Sequence, residues 1–160
     1  MHKVDKKLFN FKYLPEYAAF LLNEKLEEFV TVGIRFCREI DLPMLKPLAK
    51  LPEKELVNLS LESNRAILMN LNKGTIDEFI NNNIKNWIEN KLGVIDKSEI
   101  VTEDLVLAYF VRRKLFSHFL YAYTQNAAVQ QLIISEVDVY TTQEELIGLK
   151  VYLDIQKNLN

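Results

Sequence analysis

Few side chains in this sequence have the chemistry to bind a metal or to attack a substrate. The nitrogen and sulfur ligands among its 160 residues are His2, His118 and Cys37. A structural zinc site needs four ligands, usually grouped at short spacings. These three residues lie far apart in sequence, so we exclude structural zinc. Cys37 lies inside a helical pattern with no neighbouring base to activate its thiol, which predicts a core residue.

His118 is the residue on which a cofactor site could be built. Phe110, Phe116 and Phe119 lie close to it in sequence, and an apolar pocket with an axial histidine can hold haem. Two interpretations stay open. His118 forms a haem or small-ligand pocket with Phe110 and Arg113, or it packs against the core with a single hydrogen bond. We expect no cofactor, with haem as the alternative.

A basic triplet, Arg112 to Lys114, interrupts the most hydrophobic stretch of the chain. One of these cations could reach inward to an anionic ligand or a buried carboxylate; the alternative is a solvated face whose aliphatic stems cover apolar surface. Glu103 and Asp104 are adjacent, which separates them by about 100° on a helix and prevents them from sharing a proton. The sequence contains no glycine-rich phosphate loop and no nucleophile elbow. We therefore predict that the chain is not an enzyme.

The composition predicts one folded domain over residues 1–160. Hydrophobic residues make up 49% of the chain and charged residues 26%, which is too apolar and too balanced for a disordered segment. A net charge of −2 would not attract phosphate backbones, so we expect no nucleic-acid partner. The longest apolar run, Leu105 to Val111, is far shorter than the roughly 20 residues of a membrane-spanning helix. The single cysteine and the lack of a signal-peptide pattern predict a cytoplasmic protein.

The elements that must position these residues are helices. Apolar residues at three- and four-residue steps predict one helix from Pro15 to Ile40. Gly33 and Cys37 lie on its inner face, where small residues four positions apart let another backbone approach closely. A proline start and a glycine stop at Gly74 predict another helix from Pro52 to about Asn72, with a partly polar inner face.

Capping patterns mark the next helix starts. Thr75 begins a capping box that opens a helix ending at Gly93. A second capping box begins at Asp96 and opens a helix that extends to Tyr123. This helix is apolar on every side from Leu105 to Val111, which predicts a position in the centre of the bundle.

A long final helix is predicted from Ala127 to Leu159, because this stretch contains no proline and only one glycine. Apolar residues recur along it at seven-residue intervals, with one more at a second seam position: Leu132, Val139, Leu146, Leu153 and Leu149. Such a pattern is typical of a coiled-coil seam. We expect this stripe to join two copies of the chain into a homodimer.

Several stretches carry a family resemblance: Phe29–Ile40 (FVTVGIRFCREI), Leu42–Leu48, Pro52–Leu56, Trp87 and Tyr109–Thr124 (YFVRRKLFSHFLYAYT). Their layout resembles the N-terminal helical sensor domains that precede PAS or kinase modules in bacterial histidine kinases. More distantly, it resembles the non-haem globin domains of stressosome regulators. The resemblance implies a sensory input domain that pairs with a second copy. It also implies that a change in packing passes down the last helix to a downstream signalling module or partner protein.

These patterns together predict an all-α protein, globin-like or a multi-helix bundle of five to six helices with a long C-terminal helix. The expected function is that of a non-enzymatic cytoplasmic sensory or signalling input domain. The alternative is a haem or small-ligand sensor that is built on the same helices and uses His118.

Overall fold

The structure is a computed structural model that describes residues 2–159, and over these residues its regular elements are all helical. In chain order the α-helices are α1 (Leu14–Glu24), α2 (Leu26–Glu39), the single turn α3 (Leu45–Leu48), α4 (Glu53–Lys73), α5 (Ile76–Ile88), α6 (Thr102–His118), the single turn α7 (Leu120–Tyr123) and α8 (Ala127–Leu159). Two short 3-10 turns, Lys6–Phe9 and Lys97–Glu99, precede α1 and α6. The predicted all-α, multi-helix bundle with a long C-terminal helix is confirmed.

The first predicted helix is broken in two at Lys25, so the prediction of one continuous helix from Pro15 to Ile40 is wrong. Lys25 leaves helical geometry, with φ −130° and ψ 7°. Its N–H still donates to the Leu21 carbonyl, and its own carbonyl still accepts from the Phe29 N–H. The bend lets α1 pack along α4, while α2 contacts both α4 and α6. Neither proline nor glycine marks the bend, so the local sequence gives no sign of it.

The helix boundaries around α5 agree with the sequence only in part. Gly74 ends α4 in the left-handed region, with φ 70°, as predicted. The capping box at Thr75 does not form, because Thr75 Oγ1 donates to Asn70 Oδ1 at 2.7 Å instead. α5 ends before Gly93, its predicted stop, and the left-handed turn after the helix falls on Asn90, with φ 57°.

The helix predicted from Asp96 to Tyr123 is shorter at both ends. The capping box at Asp96 forms, but it caps the 3-10 turn, and α6 itself begins only at Thr102. At the other end Phe119 lies between α6 and α7 and interrupts the helix. The long helix of the prediction is therefore a 3-10 turn, a helix of 17 residues and a separate final turn.

α6 lies at the edge of the bundle, which corrects the prediction that it is a central helix. Leu105 and Val111 are buried, whereas Val106 and Phe110 are exposed to solvent. One side of α6 packs along α8 and another contacts α2. An apolar composition on all sides therefore does not place this helix in the centre.

α8 spans the whole bundle, over the 33 residues that the sequence predicted. At a rise of 1.5 Å per residue it is about 50 Å long. It contacts α1, α5, α6 and the 3-10 turn at Lys6–Phe9. The buried side chains Ile133, Tyr140 and Val151 lie along its inner face, so one continuous core runs against this helix.

Candidate functional site

His118, Phe110 and Arg113, the residues of the predicted cofactor site, do not line the cavity described below, and only Arg113 is partly buried. His118 is exposed at the end of α6, where its ring lies nearly perpendicular to the rings of Phe36 and Phe119, at centroid distances of 5.8 Å and 5.0 Å. Phe110 is also exposed. The chain turns directly after His118, so Phe119 enters the core while the histidine stays at the surface. We do not propose haem on His118.

The basic triplet on α6 forms two ion pairs with α8. Arg113 Nη1 donates to Thr141 Oγ1 at 3.2 Å and lies 3.4 Å from Glu145 Oε2. Arg112 Nη1 donates to Glu144 Oε2 at 2.7 Å. Of the two interpretations of the triplet, the structure shows the inward reach of a cation to a largely shielded carboxylate, and Arg112 makes the shorter of the two contacts.

Arg112 is also held by aromatic rings. Its guanidinium carbon lies 5.2 Å from the ring centre of Tyr109 and 5.9 Å from that of Tyr140. Arg112 Nη1 lies 3.3 Å from the Tyr140 hydroxyl. Burial raises the pKa of both Tyr109 and Tyr140, so these phenols stay neutral. The guanidinium is thus fixed in a position that is three-quarters shielded from solvent.

A cavity of about 480 Å³ opens between α2, α4 and α6. The single turn α3 and the loop over residues 92–95 form its rim. Asp104 holds this rim in place, because its buried carboxylate accepts the backbone N–H of Met44 at 2.6 Å and that of Val101 at 3.1 Å. The connector before α3 is thereby attached to the start of α6.

Gly33 and Cys37 of α2 both line this cavity. A Cβ atom on Gly33 would lie 3.0 Å from Leu115 Cδ2, so the close neighbour of Gly33 is a side chain and not the backbone that the sequence predicted. Cys37 was predicted to be a core residue; its side chain is half-buried and packs against the core. Burial raises the pKa of its thiol, and nearby Arg112 opposes the shift.

The partly polar face of α4 forms the opposite wall. Ser60, Ser63 and Asn64 line the cavity, with Leu56 and Ile67 beside them. Asn64 Nδ2 donates to the Ser60 carbonyl at 2.8 Å. Of the two polar residues that the sequence placed on the inner face of this helix, Ser63 lines the open space, whereas Asn70 is hydrogen-bonded to Ala66 and Thr75 outside it.

A second candidate site is the outer face of α8. Its apolar side chains at seven-residue spacing are between 42% and 55% exposed, and they are Leu132, Val139, Leu146 and Leu153. We call these four residues the α8 stripe. They lie on the side of the helix opposite its buried face. Leu149 differs from them because it is half-buried and packs against the core.

Among residues 2–159, no three histidine, cysteine, aspartate or glutamate side chains are grouped so that they could hold a metal ion. Within the same residues, no helix has both the length and the apolar composition needed to cross a membrane. Comparisons of the chain with protein-family models, with curated proteins and with solved structures found no match. The cavity and the α8 stripe are therefore candidate sites on the basis of their geometry alone.

Proposed function

We propose that this chain is a non-enzymatic, cytoplasmic signalling input domain that pairs with a second copy of itself along α8. The observation that carries the proposal is the α8 stripe, four large apolar side chains that are exposed at a regular interval of seven residues. Large apolar side chains aligned on one exposed face are typical of a surface that another protein covers. A seven-residue period is the one at which two supercoiled helices keep meeting.

A second copy fits the stripe better than an unrelated partner, because the pattern can pack on itself. In a parallel pair, each residue of the α8 stripe meets the same residue of the other copy, and four apolar layers form. In an antiparallel coiled coil the stripe would instead face the second seam position, which holds Ser135, Thr142 and Gln156 as well as Leu149. The apolar layers therefore favour the parallel arrangement.

Charges beside the stripe also favour a parallel pair. Glu145 lies on one flank of the α8 stripe and Lys150 on the other, five residues further along the chain. Parallel two-stranded coiled coils bring together flanking residues at this spacing from opposite chains. Lys150 of one copy would then lie beside Glu145 of the other, which adds orientation specificity to the apolar contact.

The contacts between α6 and α8 could transmit a conformational change to the α8 stripe. Arg112 and Arg113 of α6 are paired with Glu144 and Glu145 of α8, so a shift of α6 is transmitted directly to α8. Because Glu145 also flanks the α8 stripe, such a shift changes how two copies meet. The paired helices then transmit this change to a downstream signalling module or partner protein.

Sedimentation velocity over a range of protein concentrations tests the pairing. The wild-type chain should change from monomer to dimer as its concentration rises through the micromolar range. Val139→Glu should keep the chain monomeric, because it places a charge in the apolar layer. Val106→Glu is the matched control, since Val106 and Val139 are both 45% exposed but Val106 lies on α6. A wild-type chain that stays monomeric at every concentration would overturn the proposal, as would equal dimerisation of the two variants.

A further inference from the structure

We propose that the cavity between α2, α4 and α6 binds an elongated apolar monocarboxylate, with the carboxylate on the guanidinium of Arg112. A medium-length fatty acid is the simplest member of this ligand class. The inference goes beyond the pairing of two copies, because the cavity lies among the helices whereas the α8 stripe faces away from them. Either site could be occupied without the other.

The size and lining of the cavity indicate that its ligand has an apolar chain. Its volume of about 480 Å³ falls within the range of about 300–1,000 Å³ that is usual for small-molecule sites. Most of its wall is apolar, and Leu56, Val111 and Leu115 are buried side chains of that wall. Leu59 and Val94 extend the apolar surface to the rim, where both are exposed. An alkyl chain would pack against the buried wall and would remove the exposed Leu59 and Val94 from water.

Arg112 is the residue that we expect to bind the carboxylate of the ligand. Among the described residues that line the cavity it is the one charged side chain, and no acidic residue stands beside it in the lining. Its hydrogen bonds to Glu144 and Tyr140 both start from Nη1. The N–H groups on Nε and Nη2 therefore stay available to a ligand. A guanidinium presents such groups in a fixed plane that matches the two oxygens of a carboxylate.

Glu144 would compete with a bound carboxylate for the same guanidinium. A change at Glu144 should therefore alter the affinity for an anionic ligand in a predictable direction. Removing the negative charge of Glu144 while keeping its shape should strengthen the attraction of Arg112 for an anionic ligand. The same change should leave the binding of an uncharged ligand unaltered. A cavity that took up any apolar molecule without regard to charge would not show this difference.

Isothermal titration calorimetry with dodecanoate, kept below its micelle-forming concentration, tests the site, and dodecanol is the uncharged comparison. We expect one molecule of dodecanoate per chain, bound more tightly than dodecanol. Arg112→Met should weaken dodecanoate binding by about tenfold or more, and Glu144→Gln should strengthen it. Neither variant should change the binding of dodecanol. Equal affinity for the two probes in the wild-type chain would overturn the assignment of the carboxylate to Arg112.

A second pair of variants tests the location without touching Arg112. Ala108 lines the cavity, and Ala108→Phe should fill part of it and abolish binding. Ala122 is exposed on α7, so Ala122→Phe adds the same ring away from the cavity and should bind dodecanoate like the wild-type chain. Circular dichroism on both variants confirms that they are folded. Undiminished dodecanoate binding by a folded Ala108→Phe variant would overturn the proposal.

Discussion

Glu136 of α8 accepts a hydrogen bond from the backbone N–H of Leu14, the first residue of α1, with 2.6 Å between oxygen and nitrogen. The same carboxylate accepts the N–H groups of Lys12 at 2.7 Å and Tyr13 at 2.8 Å. The residue that precedes α1 makes no side-chain cap of its own. A side chain more than 120 positions later in the chain thus satisfies the amides that a helix start leaves without partners.

We therefore expect Glu136→Gln to destabilise the fold. Glutamine keeps the shape of the side chain but offers one acceptor oxygen in place of two and removes the charge that strengthens these bonds. The free energy of unfolding should fall by about 1.5–3 kcal/mol. Urea denaturation measures the change, with Glu62→Gln on the exposed face of α4 as the control. Equal midpoints for the two variants would show that the cap contributes nothing.

Two ion pairs of equal length should differ in strength because they differ in burial. The Arg112–Glu144 and Arg38–Glu53 pairs both have a nitrogen–oxygen distance of 2.7 Å. The side chains are 23% and 11% exposed in the first pair and 51% and 64% exposed in the second. Double-mutant cycles should give a coupling free energy of about 1.5–3 kcal/mol for the shielded pair and a smaller coupling for the exposed pair, which solvent screens. A larger coupling for Arg38–Glu53 would contradict this ranking.

Tyr17 should make the free energy of unfolding depend on pH in the alkaline range. Its hydroxyl donates to the Phe116 carbonyl, and burial raises the pKa of Tyr17 above its ordinary value of 10.0. Above pH 10.0 the unfolded chain therefore releases this proton while the folded chain retains it, and the free energy of unfolding falls as pH rises.

Tyr17→Phe is the variant that isolates this effect. It should cost about 1 kcal/mol near neutral pH, because a buried hydrogen bond is lost. The difference from the wild-type chain should shrink above pH 10.0, since the variant has no phenol to ionise at this position. Denaturation curves measured at several pH values test the trend. Tyr121→Phe is the matched control, because it removes the hydroxyl of an exposed tyrosine.

Two glycines inside helices should respond differently to an added methyl group. A Cβ atom on Gly148 would lie 3.7 Å from Leu105 Cδ2, an ordinary contact, so Gly148→Ala should stabilise the chain by about 0.5–1 kcal/mol through helix propensity. On Gly33 the Cβ would lie 3.0 Å from Leu115 Cδ2, and Gly33→Ala should gain less because Leu115 must shift. Gly33→Leu should destabilise the fold by about 1–3 kcal/mol through overpacking. Thermal unfolding ranks the three variants, and an equal gain for both alanines would contradict the packing argument.

The proposed parallel pairing makes a prediction about disulfide formation. In a Cys37→Ser background, Leu132→Cys and Leu153→Cys should each form a disulfide with the same residue of a second copy under mild oxidation. An antiparallel pair would hold each of these residues about 30 Å from its equivalent, and neither bond could form. Val106→Cys on α6 is the control away from the α8 stripe. Non-reducing electrophoresis gives the readout, and crosslinking no faster than that of the control would count against the parallel orientation.

The sequence predicted the features that depend on neighbours within a few residues. The course of α8, the left-handed end of α4 at Gly74 and the seven-residue period of the α8 stripe were all visible. Helical hydrogen bonds join residues four apart, and amphipathic periods repeat within two turns. The sequence also identified the basic triplet on α6 as cations that could reach a carboxylate, because charges inside an apolar stretch stand out by composition alone.

Contacts between distant residues were decided only by the tertiary structure. The bend at Lys25 carries no proline or glycine, and neither the pairing of Arg112 with Glu144 nor the cap that Glu136 places on α1 has a local signal. The exposure of His118 has no local signal either, since closeness in sequence to phenylalanines does not determine which side of the helix end faces the core. Long-range packing sets which helix faces meet and where they leave a cavity, because it depends on how all the apolar surfaces are buried at once.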